Sequence, residues 1–327
     1  MTYAYDPELA PWLSLLAGID YTNVQQMRAA EAELMSFDAA EQTTDVSFRD
    51  ITVPGLNGAP EIGVRIYTPA GHKGKLPGLL YIHGGGFAIG SVAGFHNETL
   101  RIAAEVGAVV ASVEYRLAPE HPFPAPIEDC YAALTWFAAH ADELGVDPER
   151  IGVAGESAGA GLAAGLALYA RDHGGPALVM QYLGIPALDD RLDTLSMRTF
   201  TDVPGWNRHN AEVCWDYYLG GEGLRGGDDT SPYAAPARAE DLSGLPPTYI
   251  TAAEFDPLRD EDLIYGQRLI AAGVPTEIHH FPGTFHGSAQ LAPQAGVSIR
   301  MVAEMTDALR RGLRVENPEN SENNKNA

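Results

Sequence analysis

The 327-residue chain predicts an α/β protein with a mostly parallel central sheet flanked by helices. Three observations carry that expectation. From residue 78 onward the sequence alternates short apolar runs with helical patterns of about 10 to 17 residues. Those runs are apolar on successive residues, so both faces of each strand must be covered, as in a parallel sheet between two helical layers. Period-2 alternation is confined to the region before residue 70, where antiparallel strands are expected.

In order along the chain, Leu9, Trp12, Leu13, Leu16 and Ile19 recur at spacings of three and four, as do Met27, Ala30, Leu34 and Phe37. Both read as short amphipathic helices. Val46, Phe48, Ile51 and Val53, then Ile62, Val64 and Ile66, predict two strands joined across PGLNGAP as a hairpin. Further strands are expected at 78–83, 108–115, 151–155, 177–185, 248–254 and 276–281, with helices at 96–106, 125–142, 158–171, 259–272 and 296–312. Residues 187–235 interrupt this rhythm with an aspartate-rich start, then Trp206, Trp215, Tyr217 and Tyr218, then a glycine-rich loop. An insertion there would lie over the carboxyl edge of the sheet, where α/β ligands bind. The tail from Glu316 is polar and of low complexity, which predicts disorder.

Composition bounds the partners. Forty-four acidic residues face 21 basic ones, a formal charge of -23, and such a field repels phosphate backbones and anionic lipid heads. Nucleic acid is not an expected partner. Only three of the cations are lysines (Lys73, Lys75, Lys325), a skew that fits either a salt-adapted surface or an arginine-favouring genome. Cys130 and Cys214 form no C-x-x-C motif and are expected to be reduced. The first twenty residues hold no lysine or arginine, and Pro11, Ser14 and Gly18 break their apolar run, so no signal peptide is expected. No stretch approaches the roughly 18 apolar residues of a membrane span. The default expectation is a cytoplasmic protein.

Four elements carry chemistry. Gly155-Glu156-Ser157-Ala158-Gly159 fits G-x-S-x-G, with an apolar strand entering it and an alanine-rich helix leaving it. Such a turn strains the serine backbone and needs small flanking residues, leaving the Ser157 hydroxyl at a helix N-terminus. His83-Gly84-Gly85-Gly86-Phe87 follows a strand and matches an HGGG element. Its backbone amides at Gly85 and Gly86, with that of Ala158, could together face a developing oxyanion. A glycine-rich loop can also cradle phosphate, but this one lacks the G-x-G-x-x-G spacing and the G-K-[ST] ending. Asp256, just after the strand TYITAAE and before Pro257, is the best-placed carboxylate; Asp260 and Glu261 fall in the following helix and Glu254 on the strand. His286 occupies a glycine-flanked loop, whereas His279 and His280 lie within a strand. The order Ser157, Asp256, His286 is that of the α/β-hydrolase triad.

With these elements in sequence order, the chain resembles the hormone-sensitive-lipase-like esterases, the bacterial family IV group of α/β-hydrolases. HGGGFAIGS at 83–91, EYRLAPEHPFPAPIED at 114–129, GESAGAGLAAGLAL at 155–168, EFDPLRDE at 254–261 and FHG at 285–287 carry the likeness. The resemblance implies an α/β-hydrolase fold with an N-terminal helical cap (1–45), a catalytic domain (46–313) with a cap insertion at about 187–235, and a tail (314–327). It implies a serine carboxylesterase with catalytic Ser157, Asp256 and His286, an oxyanion hole at Gly85, Gly86 and Ala158, and scaffold positions His83, Gly84, Gly155, Glu156 and Gly159. No metal or organic cofactor is implied, the substrate is a small ester of short acyl chain, and a homodimer is compatible. An amidase or lactonase, or a binding homologue like the plant gibberellin receptors, shares the fold. Because the base must be neutral, activity should fall below roughly pH 6–7. Two departures stand out. Glu156 occupies the place usually held by aspartate or threonine, and is expected to turn away into hydrogen bonds or toward an arginine. Ser288 follows Gly287 where many relatives carry phenylalanine.

Overall fold

Strands form where the sequence is apolar on consecutive residues, and their neighbours decide which face each side chain serves. The computed structural model describes residues 3–37 and 45–315. Within them a single eight-stranded sheet runs in the order β1-β2-β4-β3-β5-β6-β7-β8. Its strands are β1 (Val46–Val53), β2 (Ile62–Pro69), β3 (Leu76–Ile82), β4 (Val109–Glu114), β5 (Val146–Glu156), β6 (Gln181–Gly184), β7 (Thr248–Phe255) and β8 (Thr276–Phe285). β1 and β2 form the expected antiparallel hairpin and β2 lies antiparallel to β4; every later pairing is parallel.

The helices are α1 (Val24–Phe37), α2 (His96–Ile102), α3 (Ala125–Ala139), α4 (Ala158–Asp172), α5 (Leu195–Thr199), α6 (Arg208–Leu219), α7 (Arg259–Ala271), α8 (Ser288–Leu291) and α9 (Gly296–Gly312). Alternate residues of one strand feed two cores. Leu80 and Ile82 pack with Leu134 and Phe137 of α3, Leu162 and Leu166 of α4 and Leu269 of α7. Leu79 and Tyr81 pack on the other face with Leu100 of α2 and Met305 and Leu309 of α9. Each of these buried aliphatic side chains contributes about 1.5–3 kcal/mol relative to an exposed one, and the doubled burial is why β3 reads as an unbroken apolar run.

Three sequence expectations change. The first helical pattern forms a 3-10 helix, Ala10–Leu16, with Pro11 in its first turn. Only Leu9 of that stripe is buried, against Phe285 and Ala292, while Trp12 and Leu15 face solvent. The 177–185 strand contracts to Gln181–Gly184, because Ile185 at φ 42 and then Pro186 end it. The 96–106 helix stops at Ile102 and continues as one π turn, Ala103–Gly107. The second helical pattern is α1, although the side chains of Leu34 and Phe37 lie outside the described residues, as does the tail from Glu316.

Candidate active site

Sheet register brings the sequence-predicted residues together. β3 pairs with β5 through Ile82 and Gly155, so His83-Gly84 and Glu156-Ser157 leave the sheet side by side. β7 pairs with β8 through Phe255 and Phe285, after a register shift, so Asp256 and His286 likewise emerge as neighbours. Ser157 sits between β5 and α4 with φ 56 and ψ -121, a strained conformation for a residue with a side chain. The strain is held by close packing: a Cβ on Gly159 would come within 2.1 Å of the Ile82 carbonyl oxygen, so the helix can start there only with glycine. The Ser157 amide also donates to the Gly184 carbonyl at 2.8 Å.

Ser157 Oγ lies 2.8 Å from His286 Nε2, and His286 Nδ1 lies 2.7 Å from Asp256 Oδ2. The second oxygen of Asp256 accepts from the Leu258 amide at 2.9 Å, and the aspartate is fully buried. With Nδ1–H given to Asp256, Nε2 keeps the lone pair that receives the serine hydroxyl. Glycine-rich backbone lies opposite. Gly85 adopts φ 118, where a Cβ would meet the Ile89 carbonyl at 2.2 Å. Among the described residues no acceptor engages the amides of Gly85, Gly86 or Ala158. A Cβ on Gly84 would stand 3.5 Å from that of Ser157, so the loop and the serine turn are in contact.

His83 is scaffold. Its ring stacks on Tyr115 (centroids 4.3 Å apart) and packs against Phe95, and its Nδ1 bonds the Gly84 carbonyl at 2.8 Å. Burial pushes its pKa down to about 4, so the ring is neutral. Tyr115 also donates its hydroxyl to the His83 carbonyl at 3.0 Å. Arg116 forms a bidentate pair with the buried Asp129 behind the same loop.

Glu156 turns onto Gly184, where a Cβ would fall 2.2 Å from its Oε2, and bonds Tyr182. Arg101 acts on it electrostatically, but its acidic neighbour is Glu98 of α2. Desolvation, and then the Glu98 charge, push its proton affinity well above the usual carboxylate range. A carboxyl that holds its proton more tightly opposes negative charge beside Ser157 less than an ordinary glutamate would. Glu98, itself raised by desolvation, reaches Gln290 on α8, the helix after His286. No local pattern marks Glu98 or Gln290; only the fold brings them to the serine turn.

The inserted segment covers the site. Trp206 stacks on His286 with centroids 5.3 Å apart and planes at 27°. A Cβ on Gly86 would lie 2.6 Å from Cys214 Sγ and 3.3 Å from Trp206. Phe87 stacks on Tyr218 at 4.0 Å. Ser157 and His286 are consequently only 9% and 12% exposed. The described residues contain no group of histidine, cysteine and carboxylate side chains that could hold a metal, and no helix long and apolar enough to cross a membrane.

Residues 79–290 match a family described as having the alpha/beta hydrolase fold. The chain is 37% identical over 312 residues to the carboxylesterase NlhH of Mycobacterium tuberculosis, covering 94% of this chain and 97% of that one. It is 32% identical over 314 residues to an acetyl esterase of Salmonella schwarzengrund, covering 94% and 89% of the two. Among solved structures, a bacterial heroin esterase superposes with a TM-score of 0.92 at 51% identity, over 95% of this chain and 98% of the other. The strand order, the serine turn and these likenesses lead to one assignment: the chain belongs to the α/β-hydrolase family, among its hormone-sensitive-lipase-like carboxylesterases.

Proposed function

We propose that the protein hydrolyses short-chain acyl esters by an acyl-enzyme mechanism in which Ser157 is the nucleophile, His286 the base and Asp256 its orienting carboxylate. The observation that carries this reading is the unbroken hydrogen-bonded line from Ser157 Oγ through the imidazole to a buried carboxylate. As Oγ attacks the ester carbonyl carbon, its proton passes to Nε2 and the carbonyl oxygen becomes an oxyanion. The amides of Gly85, Gly86 and Ala158 receive that charge, each worth about 10²–10³ in rate. Collapse expels the alcohol, which takes the proton from Nε2. Water then attacks the acyl-enzyme, gives a proton to the same nitrogen, and releases the acid while Ser157 regains its hydrogen.

Short acyl chains are favoured by the close approach of Cys214 to Gly86, and the likeness to an acetyl esterase points the same way. The N-terminal segment and residues 187–235 act together as the cap in this reading, since Tyr217 donates to the Thr22 carbonyl at 3.0 Å and Tyr21 meets Trp206 edge-on. The two free, buried cysteines fit a reducing, cytoplasmic setting.

Stoichiometric labelling of Ser157 by an organophosphate tests the reading, together with p-nitrophenyl acetate and butyrate turnover by Ser157→Ala. Labelling at Ser157 and loss of at least about 10³ in kcat are expected. An Ala variant that turns over at the native rate would end the assignment.

A further inference from the structure

Two hydrogen bonds fix the imidazole of His286 at its edges, one at each ring nitrogen. They leave one freedom, a tilt of the ring about the line joining its two partners. The indole of Trp206, stacked on the imidazole, removes it. That indole is itself 5% exposed and held from several sides. Tyr21 meets it edge-on, with centroids 5.7 Å apart at 89°. Asn210 ties the loop before α6 to the N-terminal segment, donating to Gly205 at 2.6 Å and Ile19 at 3.2 Å and accepting from the Tyr21 amide at 3.3 Å.

We propose that Trp206 is the positioning residue of the base: it fixes the plane of His286 and offers a π face to the imidazolium that forms when Ser157 loses its proton, and Tyr21 holds it in place. The proposal rests on the triad reading above. A cation within about 6 Å of an indole face is attracted by the ring quadrupole, more strongly where water is excluded. The charged and titratable groups around the imidazole are few. Asp256 pairs with it directly, and Glu261 and Asp262 of α7 feel that carboxylate but are pushed toward their neutral acids by burial. Glu254 of β7 accepts from the Gly283 amide, His280 of β8 faces Glu254, and Glu156 and Glu98 lie toward β6 and α2. Replacing Trp206 removes none of them.

The test compares Trp206→Leu, Trp206→Phe and Tyr21→Ala with the wild-type protein on p-nitrophenyl butyrate across the pH range, with organophosphate labelling of Ser157 in each. Leucine keeps the site apolar without a π face. Its kcat should fall about tenfold with KM nearly unchanged, and the acid limb of its pH profile should move down by up to about one unit. Phenylalanine should restore most of both. Tyr21→Ala should shift both in the same direction by less, and it keeps the test decisive if the Leu variant fails to fold. A raised KM with an unmoved acid limb in Leu, or in Tyr21→Ala where Leu does not fold, would reduce Trp206 to a pocket wall and overturn the proposal. Failure of the wild-type protein to label at Ser157 would instead overturn the triad reading beneath it.

Discussion

Both oxygens of Asp256 are engaged, one by the Leu258 amide and one by His286. Asparagine in its place would present an NH₂ to one of those two donors. The imidazole relieves the clash by moving its proton to Nε2, where it can no longer accept from Ser157. Asp256→Asn should therefore lose about 10³–10⁴ in kcat with KM little changed, measured by steady-state kinetics on a variant whose circular dichroism matches the parent. At this scale the sequence was most legible where local geometry dictates residue type. Gly155 and Gly159 are required by backbone approaching within 2.4 and 2.1 Å of where a Cβ would be, so the Ser157 turn is written in five adjacent letters. Trp206 carried no such mark, because its partner is 80 positions away and only the closed fold makes them touch. For Glu156, hydrogen bonding was foreseen, while its acidic neighbour on α2 was not.

α4 does more than present Ser157 at its N-terminus. A Cβ on Gly161 would lie 2.2 Å from the Ala187 carbonyl oxygen, and one on Gly165 2.3 Å from that of Tyr233. The two ends of the 187–235 segment are thus seated on one helix through two glycines a turn apart. Glycine-to-alanine inside a helix ordinarily stabilises it by about 1 kcal/mol. Here the sign should reverse: Gly165→Ala must push backbone aside and should destabilise by about 1–3 kcal/mol, read as a lower urea midpoint. The start of the segment has a second tie, since Glu261 accepts from the Leu188 and Asp189 amides at 2.8 and 3.2 Å. Element by element, the parallel strands and their helices were legible because double-sided burial demands apolar runs. The N-terminal stripe misled because its spacing fits a helix, yet among the described residues only Leu9 of it is buried, against Phe285, Ala292, Ala295 and Val297.

Across the whole molecule, the formal charge of -23 counts every carboxyl as ionised. Glu156, Glu261 and Asp262 are each pushed well above the usual range, all three by burial first, so the folded protein holds protons that the unfolded chain would release. A raised carboxyl favours the folded state at low pH, and that contribution is lost as pH climbs above the ordinary carboxylate range. His83 works in the opposite sense. Its folded value of about 4 lies below the unfolded 6.5, so its contribution, about 3 kcal/mol at most, is lost as pH falls from 6.5 to 4. The two trends oppose each other between the ordinary carboxylate range and pH 6.5, and at alkaline pH the buried Cys130, Cys214, Tyr81, Tyr182 and Tyr218, also raised by burial, add to the carboxyl trend. Asp262→Asn removes one of these titrating groups, so its melting temperature should fall less than the parent's as pH is raised above the ordinary carboxylate range, as followed by scanning calorimetry.

The paired seats on α4 also bear on how such a protein diversifies. Because Ala187 and Tyr233 rest on the helix that begins at Ser157, the chain between them is a cassette on fixed mounts. In the proposed reading, its interior could be exchanged or resized while an aromatic ring still reaches His286, which would change the esters admitted without moving Ser157, Asp256 or His286.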